Sequence, residues 1–201
     1  MSFASKSFVL LLSIVTVFGA DKETKFDPGP IDSLPDQQTV EKLTVAADAY
    51  ASADKAKKAF GKLNPNQHGI LPVLVMMRNS SGQALTLEGM RVEYILPSRQ
   101  KVEATPARDV ARARGVEQPR LNRNPLPVPT SPRASVKKSP LTAWEIEGRA
   151  FAAMMLPPGE TASGFFYFQV SPRPGSVLYI TGIQEAATRR ELFYIEIPLA
   201  Q

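Results

Sequence analysis

Alternation of apolar and polar positions with a period of two dominates this chain. Phe166, Phe168 and Val170 alternate with Phe165, Tyr167 and Gln169, and Met90, Val92, Tyr94 and Leu96 alternate with Arg91, Glu93 and Ile95. Residues 177–181 and 192–197 are further runs rich in β-branched and aromatic side chains, bounded by Pro, Gly and Ser. Such runs predict strands. Leu43, Val45 and Ala47 share one side of residues 41–47, which predicts a first strand, and residues 84–87 and 101–105 add short ones. Residues 69–77 are almost continuously apolar, the pattern of a central strand covered on both faces. Pro72 must then sit near its beginning or at a bulge, because proline donates nothing to a ladder. Residues 52–61 break the alternation: Ser and Asp open the stretch, Ala and Lys fill it and Gly closes it, which predicts a short helix. Residues 79–82 read as a turn, and residues 141–156 are expected to be mainly extended, although their alanines permit helix.

Short strands separated by turn signals, without βα alternation, predict an all-β fold: an immunoglobulin-like antiparallel β-sandwich with a short helical insert. Its covered strands need a second layer, since a lone meander is marginal in water. The sandwich is expected to occupy residues 39–201 as one domain, preceded by a polar, turn-rich lead-in at 21–38. One long insertion, residues 106–140, is rich in Pro and Arg and poor in apolar side chains. A loop of that length and composition is either functional or too polar to order itself.

Residues 1–20 carry a signal-peptide pattern: Lys6, an apolar run from Phe8 to Phe18, then small Gly19 and Ala20. That run is too short to span a hydrocarbon core of roughly 30 Å at about 1.5 Å per residue. No second run is longer, so an exported protein, periplasmic or extracellular, with no transmembrane span in the mature chain is expected. The chain has no cysteine. Lipid anchoring through a cysteine, disulfides, thiolate catalysis and cysteine zinc sites are thereby excluded, and the fold must rest on its core alone.

Little in the sequence carries catalytic or cofactor chemistry. His68 is the one histidine of the chain and falls in a turn, which argues against a histidine metal cluster or a Ser-His-Asp set. Neither a Gly-x-Ser-x-Gly elbow nor a phosphate-binding glycine loop occurs, and the acidic residues lack calcium-loop spacing. No cofactor is expected. Glu145 and Glu147, if in a strand, share a face and could do acid–base work; a solvated face with Arg149 as partner is favoured. Trp144, the sole tryptophan, is expected in the core, with a stacking platform as the alternative. Asn79-Ser-Ser81 is formally a glycosylation sequon and reads more simply as a hairpin turn.

The segment 156–168, with Leu156-Pro-Pro-Gly-Glu160 followed by Gly164-Phe-Phe-Tyr-Phe168, resembles uncharacterised secreted bacterial proteins with an immunoglobulin-like β-sandwich domain of unknown function. There a Pro-Gly-Glu turn precedes a late core strand, and an earlier core strand runs into a turn, as residues 73–82 do in this chain. The resemblance implies the sandwich and export, and no site residues. The expectation is a non-enzymatic binding or structural module of the envelope or extracellular space. The alternative is a polyanion binder acting through Arg112, Arg114, Arg120, Arg123, Arg133, Lys137 and Lys138. The expected partner is a protein or an anionic envelope polymer. Nucleic acid is disfavoured, because no aromatics interleave the arginines. Strand edges leave β-augmentation open as well.

Overall fold

The computed structural model describes residues 26–112 and 139–200. The expected signal peptide, most of the basic insertion and the candidate contacts Arg114, Arg120, Arg123, Arg133, Lys137 and Lys138 lie outside the described residues. In chain order the elements are β1 (Asp36–Val40), β2 (Leu43–Ala49), α1 (Ala53–Phe60), β3 (Leu71–Asn79), β4 (Leu85–Thr86), β5 (Arg91–Ile95) and β6 (Lys101–Glu103). They continue with α2 (Ala107–Val110), α3 (Trp144–Gly148), β7 (Met155–Leu156), β8 (Thr161–Phe168), β9 (Val177–Thr181), β10 (Gln184–Glu185) and β11 (Ile195–Pro198). The eleven described strands form three antiparallel sheets, ordered β1-β2-β3-β8, β10-β4-β7 and β11-β9-β5-β6. The protein is thus all-β with a few short helices.

The first sheet is the middle layer. Along β3, Leu71, Val73, Val75 and Met77 face a core shared with the other two sheets, where Val92, Tyr94, Leu178, Ile180, Ile195 and Ile197 meet them. Leu74 and Met76 point the other way, into a second core with Phe60, Val110, Leu141, Ile146, Phe165 and Tyr167. Two covered faces explain why β3 is apolar at nearly every position, as its sequence predicts. Each large side chain sealed in this way contributes about 1.5–3 kcal/mol. Pro72, the second residue of β3, offers its carbonyl to the Tyr50 N–H at 2.9 Å.

The helix α1 also forms where its sequence places it. Ser52 accepts from the Lys55 N–H at 3.3 Å, Gly61 ends the helix at a φ of 62°, and Ala56, Ala59 and Phe60 are buried. Lys55 ties it to β2 through Asp48 at 2.6 Å. Two other expectations are corrected. Residues 26–38 of the supposed lead-in belong to the fold: a 3-10 turn, Ile31–Ser33, buries Ile31, Leu34 is buried behind it, and β1 starts at Asp36. Arg78 grips Asp32 of that turn with two hydrogen bonds of 3.0 Å, and the guanidinium holds this carboxyl below the usual carboxylate range.

Residues 140–142 and 144–148 are helical rather than extended. Ser139 accepts from the Leu141 N–H at 3.3 Å, Pro140 opens a 3-10 turn, and α3 follows. Proline is compatible with a first helical turn, where its missing N–H would be unpaired anyway.

Two of the sheet edges, β8 and β11, are largely taken. Thr105 donates to the Tyr167 carbonyl at 2.7 Å and Phe151 to that of Phe165 at 3.0 Å, so β8 is covered by its own chain. The strand β11 is capped by side chains from β1 and the turn after it. Gln38 accepts from the Glu196 N–H at 2.8 Å, Asp36 from Ala200 at 2.7 Å and Glu41 from Phe193 at 3.2 Å. A partner strand therefore finds less free edge than the sequence suggests.

Candidate functional site

The outer face of the middle sheet carries a helical cap, and the basic insertion begins and ends there. Val110 of α2 is fully buried, as are Leu141 and Ile146 on the far side of the insertion. All three sit in one cluster over Phe165 and Tyr167 of β8, and α2 and α3 are neighbours. The described chain thus leaves this cap at Arg112 and returns to it at Ser139.

Charge is concentrated at the same place. Residues 106–140 contain eight basic and two acidic side chains, a net charge of +6 against +5 for the whole chain. Everything outside the insertion therefore carries a small net negative charge. Of the seven candidate contacts, Arg112, just past the end of α2, is within the described residues; its side chain is 86% exposed, and that of Arg108 on α2 is 82% exposed. Both lie 3.8 Å from the Asp109 carboxylate. Contacts that long between exposed groups are weak and leave the guanidinium groups available.

The helical conformation of α3 reverses two sequence expectations. In a strand, Trp144 and Ile146 would face the same way, whereas on a helix residues two apart diverge by about 200°. Burying Ile146 therefore turns Trp144 outward, and it is 50% exposed instead of in the core. The same geometry separates Glu145 from Glu147, so the shared carboxylate face that acid–base work required does not form. Arg149 lies over three rings, with its guanidinium carbon 5.3 Å from Trp144, 5.5 Å from Phe26 and 6.0 Å from Phe60. Cation–π contacts of this kind hold an arginine in place.

Beneath the cap, aromatic side chains fix the helices to the sheet. Phe26, Tyr50 and Phe60 pack around Phe165 at centroid distances of 5.4, 4.9 and 4.9 Å. Burial, with the Asp48 charge as a lesser cause, pushes the Tyr50 hydroxyl up to about 12. Burial raises the Tyr167 hydroxyl as well, with the nearby Arg149 opposing it. The Tyr167 hydroxyl therefore stays protonated and donates to the buried Ile146 carbonyl of α3 at 2.7 Å. Tyr167→Phe is expected to cost about 1–2 kcal/mol, because the carbonyl loses its partner without losing its burial. The check is urea unfolding, with an unchanged midpoint as the contrary result.

A groove of about 490 Å³ opens beside this cap. Phe151 and Phe166, stacked at 5.2 Å, help line it with Thr105 and Ala107, while Arg91 and Glu103 stand at its polar side. Glu93 and Glu103 are direct cross-strand partners there, and Lys101 relieves the like-charge pairing by bonding Glu93 at 2.9 Å. His68 is half-buried in the 3-10 turn Pro65–His68. Among the described residues no cluster of three His, Asp or Glu side chains could hold a metal. Nor is any helix among them long and apolar enough to cross a membrane.

These features define an all-β protein of antiparallel sheets with an aromatic-bearing helical cap at the root of a basic insertion. The chain matches no protein-family model and no curated protein. One similar solved structure is the "X-ray structure of Northeast Structural Genomics Consortium target SoR45". It is 11% identical with a TM-score of 0.33, over 80% of this chain and 87% of that one, a likeness too slight to carry an argument.

Proposed function

We propose that this protein is an exported, non-enzymatic binding module built on an immunoglobulin-like sandwich, and that it takes an anionic polymer at the helical cap. The observation that carries the reading is that the chain's net positive charge comes from an insertion whose two ends are rooted on neighbouring helices. Buried Val110 and Leu141 anchor those ends. Arg108 and Arg112 extend from the anchored part with more than four-fifths of their side-chain surface free. A dense set of arginines on such a base attracts polyanions over a distance of about one Debye length and releases counterions on contact.

The test is retention on an anionic matrix across a salt gradient. The native chain is expected to bind at low salt and elute sharply as salt rises. Neutralising Arg112, Arg114, Arg120, Arg123, Arg133, Lys137 and Lys138 to glutamine should abolish retention while leaving the fold intact by circular dichroism. Retention that survives neutralisation overturns the reading. A partner that is captured from envelope extract and holds on through high salt points to a protein–protein module instead.

A further inference from the structure

We propose that Trp144 is a stacking subsite for the sugar rings of an acidic polysaccharide, with Arg108 and Arg112 engaging the acid groups. The inference rests on the anionic-polymer reading above and narrows it to one class of polymer. Trp144 is half exposed although it is the sole tryptophan of the chain, and desolvating so large a ring is favourable when a flat apolar partner covers it. Its placement is fixed on two sides. Arg149 lies 5.3 Å from the ring and is itself held over Phe26 and Phe60. Gly148 allows the indole to lie along α3, since a methyl there would come within 3.0 Å of Cε3. A ring held in this way loses little freedom on binding, which favours affinity.

The surrounding charges select among polyanions. Single-strand nucleic-acid platforms stack successive bases on several aromatic rings within a positive groove. Trp144 is instead flanked on its own short helix by half-buried Glu145 and exposed Glu147. Those carboxylates accept hydrogen bonds from hydroxyls and repel closely spaced phosphates. Arg108 on the neighbouring α2, and Arg112 just past its end, supply the complementary positive charge. A ring face, hydroxyl acceptors and arginines together match a polymer of sugar acids, whose charges are spaced by apolar ring faces.

Because Trp144 is the one tryptophan, intrinsic fluorescence reads this subsite directly. The mature chain is titrated at low salt with a soluble polyuronate, with inorganic polyphosphate and with a single-stranded oligonucleotide. Polyuronate is expected to shift and quench the emission, and polyphosphate to bind with the emission unchanged. Trp144→Ala should weaken polyuronate binding about tenfold in a retention assay while leaving polyphosphate binding within about twofold. As Trp144 is exposed, the variant should melt close to the parent. Polyphosphate binding with no emission change on polyuronate, or equal polyuronate affinity in the variant, overturns the subsite while the anionic-polymer reading stands. An emission change with the oligonucleotide alone overturns it in favour of nucleic acid. If neither polyuronate nor polyphosphate binds, both readings fall.

Discussion

Asn79→Ala is expected to destabilise the fold by about 3 kcal/mol, a large loss for the truncation of one polar side chain. Asn79 closes β3 with no exposed surface. Its amide nitrogen donates to the Gln83 carbonyl at 2.7 Å and to the Leu156 carbonyl at 2.9 Å, while its oxygen accepts from the N–H and hydroxyl of Ser81 at 3.0 and 2.7 Å. One side chain therefore ties the middle sheet, the following turn and β7 together. Truncation strands the buried Leu156 carbonyl, which costs about 1–3 kcal/mol, and removes the anchor of the Ser81 turn, whereas the Gln83 carbonyl, on an exposed residue, keeps the Ser81 hydroxyl at 3.1 Å. Thermal unfolding should shift down by roughly 10 °C for a chain of this size. Asn79→Asp keeps the acceptor but points a carboxylate at two carbonyls, so it should be at least as damaging. A midpoint close to the parent for either variant would sink the account. The same burial bears on the Asn79-Ser-Ser81 sequon, because an amide that donates twice inside the fold cannot also carry a glycan.

Gly164→Ala is the second large loss, about 3 kcal/mol, and its cause is steric. A Cβ at Gly164 would lie 2.4 Å from the Phe151 Cα and 2.5 Å from its nitrogen, with the Ala150 carbonyl carbon at 2.8 Å. Those atoms are backbone, so no rotamer change relieves the clash. The segment around residue 150 must lift away from β8, breaking the bond from Phe151 to the Phe165 carbonyl and that from Phe165 to the Arg149 carbonyl. Arg149 would move with it, and so would its contact with Trp144. Urea unfolding should show the loss, and native tryptophan emission should change with it. A destabilised variant with unaltered emission would mean that the strain is absorbed elsewhere.

The parts of the fold legible in the sequence are those whose pattern is long or whose caps are distinctive. Nine residues of β3 are enough to announce a strand covered on both faces, and Ser52 with Gly61 marks both ends of α1. The five residues of α3 are too few for a helical period to outweigh an alternation of two, so Trp144 and Ile146 read as facing the same way. The arginine cluster is visible as composition. The aromatic setting of Arg149 is not, because Phe26, Phe60 and Trp144 are far apart along the chain and meet only through tertiary packing. Gly164 gives no signal either, since a close approach between two backbones leaves no mark on residue type beyond the glycine itself.

The capping of β11 bears on how the protein behaves when crowded against copies of itself. Leu199 donates inward to Ser176, so in an antiparallel ladder the outward amides of this strand fall at residues 196, 198 and 200. Glu196 and Ala200 are already bonded to Gln38 and Asp36, and Pro198 has no N–H to give. Growth of a cross-β stack needs a row of idle donors as its template. Along β11 that row of donors is blank, so this border of the fold is a poor template for fibrils and concentrated solutions have one route to precipitation narrowed.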